Sequence, residues 1–184
     1  KFQAGDFNTG FIAEHYAHGF SAADVPHADT SFLVALAACL HKFYRNRARS
    51  LQGQFWEGKQ RAPRRDCTVC TLGHAGDNQY VNVTLEEGAV GPATRVTVHA
   101  PAGDRVYDLH LKHSLGDARI EGQCNGHALT AQLERGRARN PLAIRVIHNG
   151  TQLDALVMQP RTAELHRLMP YKAPPDMSKY VLSP

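Results

Sequence analysis

The 184-residue sequence has little of what marks most membrane proteins and enzymes. Its longest apolar run, Phe32 to Leu40, is nine residues, whereas a bilayer-crossing helix needs about 20. No opening stretch joins basic residues, an apolar run and a small-residue cleavage site, so no secretory signal is read. The 15 glycines are scattered through turn-like stretches and form no phosphate-cradling loop. No serine or cysteine sits in a nucleophile elbow. Cysteines number only four, at 39, 67, 70 and 124. Cys67 and Cys70 form a CxxC, but on an extended strand their odd spacing points them to opposite faces. No second CxxC or spaced histidine pair completes a four-ligand set, so a metal site is not expected. With so few cysteines a reducing cytosol is the default compartment.

What is present is a change of period. The stretch after Asp29 and Thr30, either of which can cap a helix, runs to about Leu51 without glycine or proline. Phe32 to Leu40 covers every direction around its axis, so this half is expected to be surrounded by protein. After Tyr44 the sequence turns arginine-rich and the helix is expected to emerge into solvent. Some 20 residues make about 30 Å of helix. A shorter helix is expected over Asn8 to Gly19, with Phe11, Ile12, Tyr16 and Phe20 as seating positions.

Beyond Arg65 the period becomes two. Eight strands are predicted, over about 66–74, 78–86, 93–100, 104–112, 117–123, 126–135, 141–148 and 151–159. Expected inward sets include Val81, Val83 and Leu85; Tyr107, Leu109 and Leu111; Leu129, Ala131 and Leu133; Leu142, Ile144 and Val146; and Leu153, Ala155 and Val157. Asn125-Gly126 and Asn149-Gly150 are strong hairpin signals, because both turn positions need positive φ. The expected fold is mainly β with α: an eight-stranded antiparallel up-and-down barrel around a long central helix. Closure removes the exposed edges. An ordinary eight-stranded barrel has room for side chains only, so it must be widened or partly open, with the helix alanines easing the fit. Residues 161 to 169 are expected to make a helical turn or two, before a proline-rich linker.

Two features compete for a functional reading. The 11 histidines are spread over the whole chain; His99 and His110 take the polar side of their strands, and solvated or cross-strand roles suffice. Between Lys42 and Arg65 there are eight basic residues against one acid, Glu57. With Phe55 and Trp56 nearby, this segment fits either RNA, through cations and stacking, or a protein partner, for which tryptophan and arginine are common anchors. The aromatic pair in a basic loop favours the protein partner. A standalone basic barrel binding RNA or another protein remains the alternative, and the helix competes with any small ligand for the barrel's interior.

The two ends of the chain bear a family resemblance. Phe7-Asn8-Thr9-Gly10-Phe11-Ile12-Ala13-Glu14-His15-Tyr16 with Gly19-Phe20 resembles the segment that follows the biotin carboxylase domain in propionyl-CoA carboxylase α subunits. Ala163-Glu164-Leu165, Leu168-Met169-Pro170, Pro174-Pro175-Asp176, Ser178-Lys179 and Leu182-Ser183-Pro184 resemble the stretch leading to their biotin carrier domain. The domain between, called BT, has a long helix in an eight-stranded barrel and mediates contact between biotin carboxylase and carboxyltransferase. The resemblance implies an opening segment 1–28, a BT domain 29–160 (helix 30–51, a hook-like loop 51–65, barrel 66–160) and a helix with linker at 161–184. The chain thus reads as a piece of a longer polypeptide. It implies a parent that uses ATP, Mg and biotin, a partner carboxyltransferase β subunit within a large α–β hetero-oligomer, and neither nucleic acid nor membrane as partner. The ATP residues and biotinyl-lysine of such a parent are expected outside this chain, and no catalytic or metal residue within it. The implied subunit contacts are Phe55, Trp56, Arg64 and Arg65. The compartment would be the cytoplasm of a bacterium or the mitochondrial matrix of a eukaryote.

Overall fold

The computed structural model describes residues 30–49, 66–73, 76–87, 93–114, 116–136, 140 and 142–171, with Gly5, Gly10, Ala13 and Glu14. Of the short helix expected over 8–19, Ala13 and Glu14 are helical, and Glu14 N–H donates to Gly10 O at 2.9 Å; the rest lies outside the described residues. So do the hook-like loop and the linker after 171.

Helix α1 spans Thr30–Arg49, as its alanine- and leucine-rich, breaker-free sequence dictates. Four strands follow as β1 (Asp66–Thr71), β2 (Gln79–Glu87), β3 (Thr94–Ala100) and β4 (Gly103–Lys112). Four more are β5 (Arg119–Cys124), β6 (His127–Arg135), β7 (Ile144–His148) and β8 (Thr151–Met158). Each pairs antiparallel with the next, and β1 closes onto β8 in the register Val69↔Val157. The sheet is the closed up-and-down barrel that the alternation predicts.

One core joins helix and sheet. Residues 33–40 of α1 are all buried, and Ala35, Leu36, Ala37, Ala38 and Leu40 are fully so. They cluster with inward residues of every strand, among them Val69, Val83, Val98, Leu109, Ile120, Leu133, Val146 and Ala155. The helix packs against β1 to β4, β7 and β8. The β5–β6 side reaches the same core through Ile120, Leu129, Ala131 and Leu133. Asn125-Gly126 and Asn149-Gly150 adopt φ values of 50° and 81°, and 46° and 79°. Both are the positive pairs a two-residue hairpin needs.

One expectation requires correction. Leu142, expected inward with Ile144 and Val146, is 76% exposed. Asn140 turns the chain there, its side-chain oxygen accepting from Leu142 N–H at 2.9 Å and its carbonyl from Ala143 N–H at 3.0 Å. Ala143 is buried instead, and β7 begins only at Ile144. The outer face of the barrel is itself partly covered. Helix α2 (Pro160–Arg167) lies on the outside of β1, where Cys70, Ala143 and Leu156 form a second small core with Leu72, Tyr80 and Met158. Thr68, also on that face, is buried and donates to Asn82 at 2.9 Å.

The meander sorts its connections to two ends. The β1–β2, β3–β4, β5–β6 and β7–β8 turns share one end, which α1 enters: Phe32 stacks edge-on against His148, the last residue of β7, at 5.1 Å. The other connections, the start of β1 and the carboxyl end of α1 share the opposite end, here called the exit mouth.

Candidate protein interface

The exit mouth is built where α1 leaves its apolar half. Phe43 and Tyr44 are the last aromatic residues of the helix. Neighbouring positions diverge around a helix axis, so one aromatic can stay half-buried while the other faces outward. Tyr44 is half-buried and shares a hydrogen bond of 3.1 Å with Nε2 of His113, just past β4. Phe43 is 40% exposed and lies edge-on to both rings, at 5.9 Å from Tyr44 and 5.5 Å from His113. Arg135, the last residue of β6, places its guanidinium 4.1 Å from the centre of the Tyr44 ring. Arg135 is exposed, so this is a modest cation–π contact that ties β6 to the helix end.

Beside this cluster is a recess of about 420 Å³ between α1 and the ends of β2, β3 and β4. Cys39, Phe43, Leu109 and Leu111 supply its apolar wall; Lys42, Asn46, Glu87 and Thr94 supply its polar one. The electrostatics are basic: Lys42, Arg45 and Arg47 follow one another along the emerging helix. His41 is lowered to about 4, by burial first and then by Arg45 and Arg135. Burial likewise lowers His113. Both rings are therefore neutral near pH 7, and the positive charge of the mouth comes from lysine and arginine.

The thiols are held unreactive. Cys39 is pushed up to about 11 and Cys67 to about 12, each chiefly by burial, and a protonated thiol is a poor nucleophile and ligand. Cys67 packs on the main core and Cys70 in the outer cluster, so the CxxC faces opposite ways, as strand geometry requires. Among the described residues no three of His, Cys, Asp and Glu converge to hold a metal. His99 donates to or accepts from Thr84 at 3.0 Å and pairs with Asp104 at 3.0 Å, a cross-strand role.

Phe55, Trp56, Arg64 and Arg65, the residues picked out for subunit contact, lie outside the described residues. Their flanks are described: Arg49 ends α1 and Asp66 begins β1. The cluster of Phe43, Tyr44, His113 and Arg135 was not singled out from sequence. The only signal was the aromatic pair at the switch from apolar to basic. Its partners come from β-connections 69 residues and more away, which no local pattern links.

These features define a class, an up-and-down antiparallel barrel that shares one core with a long helix. The chain belongs to the family described as the propionyl-coenzyme A carboxylase BT domain, which matches residues 33–172. It is 31% identical over 190 residues to the propionyl-CoA carboxylase alpha chain of Ruegeria pomeroyi. It is 27% and 25% identical to the mitochondrial propionyl-CoA carboxylase alpha chains of Caenorhabditis briggsae and Caenorhabditis elegans. Each match covers 100% of this chain and 25% of the relative, so the chain spans a quarter of the length of these proteins. No helix among the described residues is long and apolar enough to cross a membrane.

Proposed function

We propose that the chain is the assembly domain of a biotin-dependent acyl-CoA carboxylase α subunit, with propionyl-CoA as the substrate of the whole enzyme. In this reading it joins the biotin carboxylase part of its own polypeptide to a carboxyltransferase β subunit. ATP, Mg and biotin act elsewhere in that polypeptide, and the 184 residues alone turn nothing over. Family membership supports the setting. The observation that carries the role is the exit mouth. Both flanks of the 50–65 segment are fixed there, one by the core-packed helix and one by β1. A loop anchored at both ends loses less freedom on binding than a free one. Phe55 and Trp56 are the anchors of that segment, and Arg64 and Arg65 its charged rim. A carrier arm that visits two distant sites needs their spacing fixed, and a closed barrel is a rigid spacer.

The test is a binding titration. Phe55→Ala with Trp56→Ala is expected to weaken β-subunit affinity by about tenfold or more, with an unchanged thermal midpoint. Unchanged affinity would remove the loop from the interface. The longer polypeptide is also expected to be avidin-reactive; a polypeptide without biotin would end the carboxylase reading.

A further inference from the structure

Helix α1 occupies the barrel, yet at the exit mouth a recess of about 420 Å³ remains between it and the ends of β2, β3 and β4. That volume, in the mouth of a barrel, is typical of a small-molecule site. The helix wall is one stripe, Cys39, Lys42, Phe43 and Asn46, at spacings of three and four. The sheet wall is one cross-strand row: Glu87 of β2 lies opposite Thr94 of β3, and Thr94 opposite Leu109 of β4. Glu87 follows Val83 and Leu85 on the inward face of its strand, so its carboxylate stands over the core and not on the outer surface.

Two charges of opposite sign thus face one recess from opposite walls. Lys42, half-buried, and Glu87, exposed, are the charged residues that line it. The neutral ring of His113 is already bonded to Tyr44. The other charges nearby are turned away: Glu86 and Lys112 alternate to the outer face, and Arg135 lies over the Tyr44 ring. Arg45 is close in sequence but does not line the recess. Among the described residues the side chains of Lys42 and Glu87 pair neither with each other nor with any other group. Between them the surface is apolar, with Leu109 buried, Leu111 half-buried and Phe43 at the rim.

We infer that this recess binds a free apolar α-amino acid, its carboxylate on Lys42, its ammonium on Glu87 and its side chain against Leu109, Leu111 and Phe43. Such a ligand carries both charges on one carbon with an apolar branch beside them, which is the pattern the two walls present. Lys42 is long and flexible, so its ammonium can close on a carboxylate held near Glu87. The Asn46 amide can donate to the same carboxylate, and the Thr94 hydroxyl can accept from the ligand's ammonium. A residue inside a polypeptide fits less well, because peptide bonds have removed both charges and would leave Lys42 and Glu87 unmet. A fatty acid would leave Glu87 unmet, and an apolar amine Lys42. The inference does not rest on the carboxylase reading, which the avidin test addresses separately.

The test is a calorimetric titration of the 184-residue chain, which has a closed sheet and a core of its own, with L-leucine and with L-phenylalanine. Saturable binding of at least one of them is expected, one molecule per chain and tighter than about 1 mM. N-acetyl-L-leucine amide keeps the side chain and lacks both charges; glycine keeps the charges and lacks the side chain. Each is expected to bind about tenfold or more weakly. Glu87→Gln on β2 and Lys42→Met on α1 are each expected to weaken amino-acid binding about tenfold or more, with the thermal midpoint of the unliganded chain unchanged. No saturable binding of either amino acid overturns the inference. Equal binding of the capped amide overturns it in favour of a slot for a side chain of a protein partner. Binding that both variants leave unchanged places the ligand elsewhere on the chain and overturns it as well.

Discussion

At the scale of single residues, the charges of the barrel wall are placed in register. Arg145 and Asp154 face each other across β7 and β8 and make two hydrogen bonds, Nε to Oδ1 at 2.6 Å and Nη2 to Oδ2 at 2.7 Å. Both side chains are less than a fifth exposed, with Glu134 4.0 Å from the same guanidinium. Arg95 and Asp108 repeat the arrangement across β3 and β4 in a more open setting. Surface pairs contribute little, but fork-like pairs that are mostly desolvated contribute more. Asp154→Asn is expected to lower stability by about 2 kcal/mol in urea unfolding, and a change within error would place the pair among the neutral surface bridges. His41 sets a pH dependence of known sign. Its folded value of about 4 lies below the ordinary 6.5, so the unfolded chain takes up a proton first as pH falls. Stability should hold above about pH 6.5 and decline towards pH 4, by ~3 kcal/mol at most. His41→Gln should flatten the urea midpoint between pH 7 and 4.5; an unflattened profile would assign the loss to other groups.

At the scale of elements, the fit of α1 into the barrel depends on small side chains. Ala35, Ala37 and Ala38 have no exposed surface, so the strands approach the helix closely there. Ala37→Leu adds three carbons where no space is free and is expected to cost about 1–3 kcal/mol or more, read as a lower thermal midpoint; a neutral effect would mean the barrel wall yields. β5 shows a related economy. A Cβ on Gly122 would collide with the β4 carbonyl of His110, so β4 and β5 come together more closely than any side chain permits. The elements themselves were readable in the sequence because their periods are local. Both hairpin turns, the inward sets of β4 and β6, and the breaker-free helix each follow from neighbouring residues. Leu142 was misread because alternation alone does not register that Asn140 bends the chain back on itself. The cover over the outer face of β1 was not legible locally, because α2 arrives about 90 residues later in the chain.

At the scale of the whole molecule, one cooperative core should dominate exchange. Amides of Leu36 to Leu40 sit inside a core to which every strand contributes, whereas α2 buries only Ala163. Hydrogen exchange of the α1 amides is therefore expected to require global unfolding, while α2 opens at a lower free energy. Equal protection of the two helices would show that α2 belongs to the main cooperative unit. The two ends of the barrel differ in character. The exit mouth carries the aromatic and basic residues of α1 and both flanks of the 50–65 segment; at the opposite end α1 enters and Tyr171 packs over Gly76.

The sequence alone determined the helix, the eight strands, their turns and the closed order, since each depends on residues close together along the chain. It also pointed to the family through the residues at its two ends. Tertiary structure alone decided the Tyr44–His113–Arg135 cluster, the cover over Cys70 and Thr68, and the outward turn of Leu165 and Leu168. Those arrangements join residues far apart in the chain, and which side of a short helix faces its neighbour is set by what that neighbour offers to bind.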